Sequence, residues 1–189
     1  IKSLKTVLKD KKDFEKIKNY FKDEQNSMIS LNHALANDGM IFEIDNHYSF
    51  KKPLIIYNFF DEISENKIIN NKVFISIGNG SRLSFIDYYK SVNNVKYFNN
   101  SIHNYTIKEN AILKKFSINA ALDNSYNYNS TKVNSYSNSV FENFLLSLGP
   151  NLIKSEIHCN LLDNFSSCFV NAIMLLNDGI ITVAKKKPA

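Results

Sequence analysis

Tryptophan is absent from this sequence, glycine and proline number only five and three, and there are just two cysteines. Each shortage removes a class of explanation. The cysteines, Cys159 and Cys168, stand nine positions apart, which is neither a CxxC pair nor a zinc-site spacing. The few glycines leave one lone GxG, Gly78-Asn79-Gly80, with no third glycine and no helix after it; it reads as a turn rather than a phosphate loop. No Walker A, GxSxG or HExxH sequence occurs. The longest apolar stretches, such as 172–176, are far too short to cross a bilayer, and no signal peptide is visible. A reducing, soluble compartment is the expectation.

What is present is an ordinary globular composition of 189 residues, 44% hydrophobic and 22% charged, enough for one sizeable core. The net charge of +5 is carried largely by lysines at the two ends, Lys2 to Lys22 and Lys185 to Lys187. Elsewhere basic residues are interspersed with Asp and Glu, and no nucleic-acid motif accompanies them. A solvated helix face plus a basic tail accounts for them better than a nucleic-acid partner. The abundance of Asn, Lys and Ile reads as the codon bias of an AT-rich genome. The chain starts at Ile1 rather than Met, and a fragment is expected.

Residues 1–38 read as a helical segment. Asp13 is placed as the cap of a helix with Phe14, Ile17 and Phe21 on one face, and Asn26 or Ser27 as the cap of a second, with Met28, Leu31 and Leu35 buried. Gly39 looks like the stop after it. From 39 to 184 the period is two. Met40, Phe42 and Ile44 alternate with Ile41, Glu43 and Asp45, and Val73, Ile75 and Ile77 with Phe74 and Ser76. The cleanest case lies in 131–164, where Ile153, Ser155, Ile157, Cys159 and Leu161 oppose Lys154, Glu156, His158 and Asn160. About a dozen short strands follow, with 61–71 as a polar loop, 95–100 and 102–107 as separate strands, 124–129 as a polar link, and 185–189 as a basic tail. Asn79-Gly80 is the only Asn-Gly turn of hairpin type. A sandwich, a barrel and a parallel β-helix all remain open on periodicity alone.

The search for chemistry ends without a constellation. No residue qualifies as catalytic. Asp61, Glu62 and Glu65 read as solvated, and Tyr126 and Tyr128 as packing. His33, His47, His103 and His158 are scattered. Cys159, His158 and Cys168 are the only metal-type candidates, and none is assigned as a ligand. His158 and its neighbour Cys159 point to opposite faces of one strand. Cys159 reads as a small buried hydrophobe. Partner-binding residues are not identifiable.

Several stretches, in order, resemble a known family. Leu31-Asn32-His33-Ala34-Leu35, the Asp38-Gly39 turn, and Phe50-Lys51-Lys52-Pro53-Leu54-Ile55-Ile56 resemble the leading segment of the SufB/SufD family of iron–sulfur cluster assembly proteins. Ser81-Arg82-Leu83-Ser84-Phe85-Ile86, Tyr97-Phe98-Asn99-Asn100-Ser101 and Glu109-Asn110-Ala111-Ile112-Leu113 are similar to later family segments. So are the stretch 141–164 and Asn177-Asp178-Gly179. The resemblance spans about residues 27–180. The short leading segment and the lack of cysteine-rich features resemble the SufD branch more than SufB.

The resemblance implies a right-handed parallel β-helix after the helical segment, and a scaffold rather than an enzyme. It implies pairing with a SufB-like paralogue through the β-helix, work beside a SufC-like ATPase, and an iron–sulfur cluster that is transient at the level of the complex, with no cofactor held tightly here. No nucleic acid or membrane partner is implied. The compartment would be bacterial cytoplasm, or plastid or apicoplast stroma. A SufB-like subunit and, from another class, a carbohydrate-active β-helix enzyme are the alternatives; the latter would need an acidic cluster that the sequence lacks. At position 154 the family's usual Arg is Lys, which keeps the charge and loses the planar fork. No catalytic or metal residue is carried over. In this resemblance Cys159 sits inside the helix, where a thiol could serve a cluster or its sulfur, although packing is the preferred reading.

Overall fold

Apolar residues at every second position cannot all be buried by one sheet, so successive strands must face one another in pairs. The computed structural model solves this as a parallel β-solenoid. It describes residues 1–21, 26–36, 38–92, 94–120, 124–149, 152–175 and the backbone of 181–187. Strands β2 (Asp38–Ile44), β4 (Lys67–Ile77), β6 (Tyr97–Ile107), β8 (Ser125–Ser135), β10 (Leu152–Leu161) and β12 (Ile181–Lys187) stack in order as the first sheet. Strands β3 (Leu54–Phe60), β5 (Arg82–Ser91), β7 (Ile112–Ala120), β9 (Val140–Leu148) and β11 (Ser167–Leu175) form the second. All these pairings are parallel. A parallel β-helix, as the resemblance implies, is therefore the fold, and the sandwich and barrel are excluded.

The register explains the burial. In the first sheet Ile75, Tyr105, Val133 and Cys159 form one inward column; in the second, Leu83, Leu113, Phe141 and Cys168 form another. These two columns meet in the main core. Burying each such Leu or Phe contributes roughly 1.5–3 kcal/mol.

The corners between the sheets stack as well. His47, Gly80, Asn110, Asn138 and Phe165 all have left-handed backbone, φ between 54° and 65°. Each of the first four donates its N–H to a carbonyl of the next corner: Asn79, Glu109, Ser137 and Asn164 in turn. Asn79-Gly80 is thus a solenoid corner, not a hairpin turn.

The helical segment covers the outer face of the first sheet. The short strand β1 (Lys2–Ser3) pairs antiparallel with β2 and closes that end of the sheet. Helices α1 (Leu4–Val7), α2 (Lys11–Ile17) and α3 (Ser27–Leu35) follow, with a 3₁₀ turn at Lys18–Phe21. Leu4, Val7, Ile17 and Ala36 pack on Ile41 and Phe74. Asn26 caps α3 by accepting from the amides of Met28 and Ile29. Its Nδ2 also donates to Tyr128 Oη (2.8 Å) and Glu156 Oε2 (3.2 Å), so one side chain both starts the helix and pins it to the solenoid. Tyr128 in turn donates to Glu156 at 2.6 Å. Burial pushes the Glu156 carboxyl up, but the bonds from Tyr128 and Lys154 outweigh it and hold the group below its usual range.

Several sequence expectations need correction. The cap of α2 is Asp10, which accepts from the Asp13 amide. The buried residue of α3 is Asn32, while Leu35 is exposed; Asn32 Nδ2 donates to the carbonyls of Asn71 and Asn100, so a polar side chain docks the helix on strand backbone. Gly39 lies within β2 at φ +137°, and a Cβ there would stand 1.8 Å from the Lys72 carbonyl oxygen; close strand approach, not helix termination, requires glycine. Strand β4 begins at Lys67, inside the expected loop. The stretches 95–100 and 102–107 merge into β6, and 124–129 belongs mostly to β8. Strand β12 runs through the basic triplet at 185–187. The Asn177-Asp178-Gly179 turn lies outside the described residues.

Lys72 is the costliest residue under the helices. It is fully buried, its ammonium stands 4.4 Å from the Phe21 ring centroid, and no hydrogen-bond partner reaches its Nζ among the described residues. Burial lowers its pKa from 10.5 to about 7. The unfolded side chain keeps its proton up to about 10.5, so between 7 and 10.5 the unfolded state binds one proton more than the folded state. Stability in urea therefore rises with pH across that window. Lys72→Met flattens the profile by one proton's worth and stabilises the protein at pH 7 by up to ~4 kcal/mol. Identical pH slopes for the two proteins would refute the assignment.

Candidate functional site

Along each inward face the columns change character with distance from the stacked corner. Next to the corner they are apolar. Further on they carry His103 of β6 and Lys115 of β7, two positions from Tyr105 and Leu113, and Asp87 and Tyr89 of β5, four and six positions from Leu83. All four are buried. Alternation puts them inside: Leu83, Phe85, Asp87 and Tyr89 share one face of β5, and Leu113, Lys115, Ser117 and Asn119 one face of β7.

These groups form one network. Lys115 Nζ lies 3.3 Å from Asp87 Oδ2. Asn58 Nδ2 donates to Asp87 Oδ1 at 2.9 Å, and the Tyr89 hydroxyl donates to Asp87 Oδ2 at 3.1 Å. His103 bridges Tyr89 Oη (3.3 Å, Nε2) and Tyr105 Oη (2.9 Å, Nδ1). Because Tyr89 spends its proton on Asp87, His103 donates from Nε2, and Nδ1 accepts from Tyr105; this tautomer satisfies every member. Lys115 also stands 5.5 Å from the Tyr105 ring centroid and 5.9 Å from that of Phe85.

The electrostatics follow from burial. Desolvation, helped by Lys115, holds His103 well below the usual imidazole range, so it is neutral. Desolvation also lowers Lys115, against the pull of Asp87. Burial and the Asp87 charge push Tyr89 and Tyr105 well up, so both stay protonated donors. Beside them is a cavity of about 30 Å³ whose lining includes Ser117, Asn129, Thr131 and Asn143, room for one or two waters. Polar ladders continue away from it: Asn99 Nδ2 donates to Asn127 Oδ1 at 3.2 Å, and Ser101 donates to Asn99. The proton-active groups are bonded to one another, so this interior holds protons in place rather than presenting a free nucleophile.

The metal-type candidates lie elsewhere. Cys159, near the end of β10, and Cys168, near the start of β11, face each other across the next corner with Cα atoms 6.8 Å apart and are joined as a disulfide. A spacing of nine looked unproductive in the sequence because it does not show that a strand end and a strand start are brought together by the turn between them. As a disulfide neither sulfur is a thiolate ligand. His158 is half-buried on the opposite face of β10, where it pairs in register with Lys132. Among the described residues no group of three or more His, Cys, Asp or Glu is placed to hold a metal. Asp61 caps a 3₁₀ turn at Glu62–Ser64, and Glu65 accepts from the Lys96 amide. Tyr128 is buried and Tyr126 lies at the surface. The Asp87–Lys115–His103 network was missed; the signal for it was a charged residue on the inward phase of an otherwise apolar alternation.

The geometry is that of a parallel solenoid with a polar interior, and the family model described as SUF system FeS cluster assembly, SufBD core domain, matches residues 60–184. The chain belongs to the SufB/SufD family. Its role accordingly lies in SUF iron–sulfur cluster assembly. No curated protein matches the chain. The matched range starts at the end of β3 and takes in every strand from β4 to β11 and part of β12, so the family signal is carried by the stacked rungs. No helix is long and apolar enough to cross a membrane among the described residues.

The Asp87–Lys115 pair makes a measurable claim. Asp87→Asn leaves a buried ammonium without its counter-charge and costs ~3–5 kcal/mol in urea unfolding. Lys115→Met costs less, because Asn58 and Tyr89 still serve Asp87. The double variant costs less than the sum, with a coupling of at least about 1 kcal/mol. Strict additivity would show that the two groups do not interact.

Proposed function

We propose that the chain is a SufD-like scaffold subunit of the SUF assembly complex, pairing with a SufB-like paralogue and supporting cluster assembly and iron supply alongside a SufC-like ATPase. The observation that carries this reading is the family match on the stacked strands of a parallel solenoid. At the β10–β12 end, β11 closes the second sheet and β12 the first, and each has a single partner strand among the described residues. A strand edge of that kind presents unpaired N–H and C=O groups, and a second solenoid can extend both sheets by strand addition.

In this role the protein needs no catalysis and no resident cofactor; the iron–sulfur cluster is the cargo of the complex. The SufD assignment over SufB rests on the lack, in these 189 residues, of the cysteine-rich features of SufB. A bacterial cytoplasm or a plastid-type stroma is the compartment we assign on the family's behalf.

Co-expression with the SufB-like paralogue and the SufC-like ATPase of the same genome tests the pairing. The expected result is a complex containing all three chains. Proline at Val170 or at Asn171 weakens it in at least one case, since adjacent N–H groups of a strand point to opposite sides and one of the two faces the open edge. A correctly folded chain that assembles with neither partner would sink the proposal.

A further inference from the structure

The inward columns nearest the corner repeat one arrangement, and the rung of β10 and β11 departs from it. One rung brings Ile75 and Leu83 into the main core, the next Tyr105 and Leu113, and the next Val133 and Phe141. The same two positions then hold Cys159 and Cys168. Two large side chains give way to the two smallest of the ladder, and a covalent bond takes the place of packing.

Strand β11 has little else to hold it inside. Its inward positions, Cys168, Val170, Ala172 and Met174, lie in register with Phe141, Asn143, Leu145 and Ser147 of β9. The four β9 residues are buried and none of the β11 residues is. Cys168 is the one residue of β11 packed against the main core among the described residues. The corner before β11 rests on the previous corner through backbone bonds: Asn138 donates to the Asn164 carbonyl, Leu162 to that of Ser135 and Ser167 to that of Ser139.

We propose that Cys159 and Cys168 form a reversible dithiol–disulfide site that latches this rung: oxidised, it holds β11 on the core; reduced, it lets β11 and its corner open. Exposure sets the order of events. Cys159 is buried and Cys168 half-buried, so an incoming thiolate reaches the Cys168 sulfur. A dithiol reductant attacks there with one thiolate; the Cys159–Cys168 bond breaks, and Cys159 leaves as a thiolate that takes up a proton. The reductant's second thiolate then displaces Cys168 from the mixed disulfide. Two electrons and two protons pass to the protein, and the reductant leaves as a disulfide. An oxidised dithiol runs the same steps backwards.

With the bond gone, two thiols occupy the position that Val133 and Phe141 fill one rung earlier, so packing does not replace the tie. A link that closes a loop of about ten residues favours the closed form by roughly a hundredfold. In the compartments proposed above, disulfides are generally transient or redox-sensing rather than permanent. The site itself rests on the geometry of the two cysteines and not on that assignment.

The test equilibrates the 189-residue chain in mixtures of reduced and oxidised dithiothreitol and counts free thiols by the mass added with a maleimide. The expected result is a two-electron transition between no free thiol and two, within single chains. Amide hydrogen exchange in 160–175 quickens roughly a hundredfold on reduction, while β4 to β7 keep their protection. Cys159→Ala and Cys168→Ala exchange fast with or without oxidant. Cys159→Val combined with Cys168→Phe copies the preceding rung and restores slow exchange under both conditions. A bond that no dithiothreitol ratio reduces, thiols that oxidised dithiothreitol never joins, or cross-links only between chains overturn the site. Equal exchange of 160–175 in the two states overturns the latch. None of these outcomes bears on the pairing tested by co-expression.

Discussion

A parallel solenoid persists only if every turn bends at the same place as the turn before it. Here that constraint is met by a column of left-handed residues, His47, Gly80, Asn110, Asn138 and Phe165, tied to one another through backbone N–H groups. Only one is glycine. Asparagine tolerates this conformation at modest cost, while His47 and Phe165 stand at the two ends of the column, joined to it through the His47 N–H to Asn79 and the Asn138 N–H to Asn164. Once the corners are aligned, the strands that leave them are in register. The inward columns then become ladders of equivalent positions, and burial, hydrogen bonding and charge are decided column by column rather than residue by residue.

The column logic explains the interior polarity. Near the corner the ladder is Ile, Tyr, Val and Cys against Leu, Leu, Phe and Cys, and the disulfide closes that apolar wedge at its open end. Further in, the same alternation delivers Asp87, Lys115 and His103 to one interior point. A buried ion pair is weak evidence for stability, since a well-packed apolar pair often does as well. What it does provide is selectivity: a slip of one strand by a single residue would turn its charge outward and leave the partner charge stranded. The same reasoning applies to the Asn99–Asn127 step, where amide side chains of successive rungs satisfy each other only in this register.

Much of this was legible in the sequence, and the failures have physical causes. Alternation located the strands, and the Asn26 cap was readable because capping is a local interaction with a local signature. Periodicity could not separate a solenoid from a sandwich, since both bury every second residue; ordered family segments did that. Gly39 was misread because a close approach to Lys72 on another strand has no local trace. Leu35 was placed in the core by its spacing, yet Asn32 took that position because strand carbonyls at Asn71 and Asn100 were there to receive it. The corner ladder was hidden because its members share a conformation, not a residue type. The Asp87–Lys115 meeting was hidden because it depends on which strand lies beside which.

The helical segment shows how the two outer faces came to differ. It is fastened by polar contacts of long reach, Asn26 to Glu156, Asn32 to Asn100, and Tyr20 to Thr106, and each needs a matching group on the first sheet. The outer face of the second sheet is richer in rings and aliphatic chains, and its Lys114 and Glu142 are paired with each other. A surface that lacks directional partners cannot specify one short segment of its own chain. The asymmetry therefore assigns separate tasks to the parts of one small solenoid. One face holds the helices and the other is left bare, and the interior network fixes the register on which both depend.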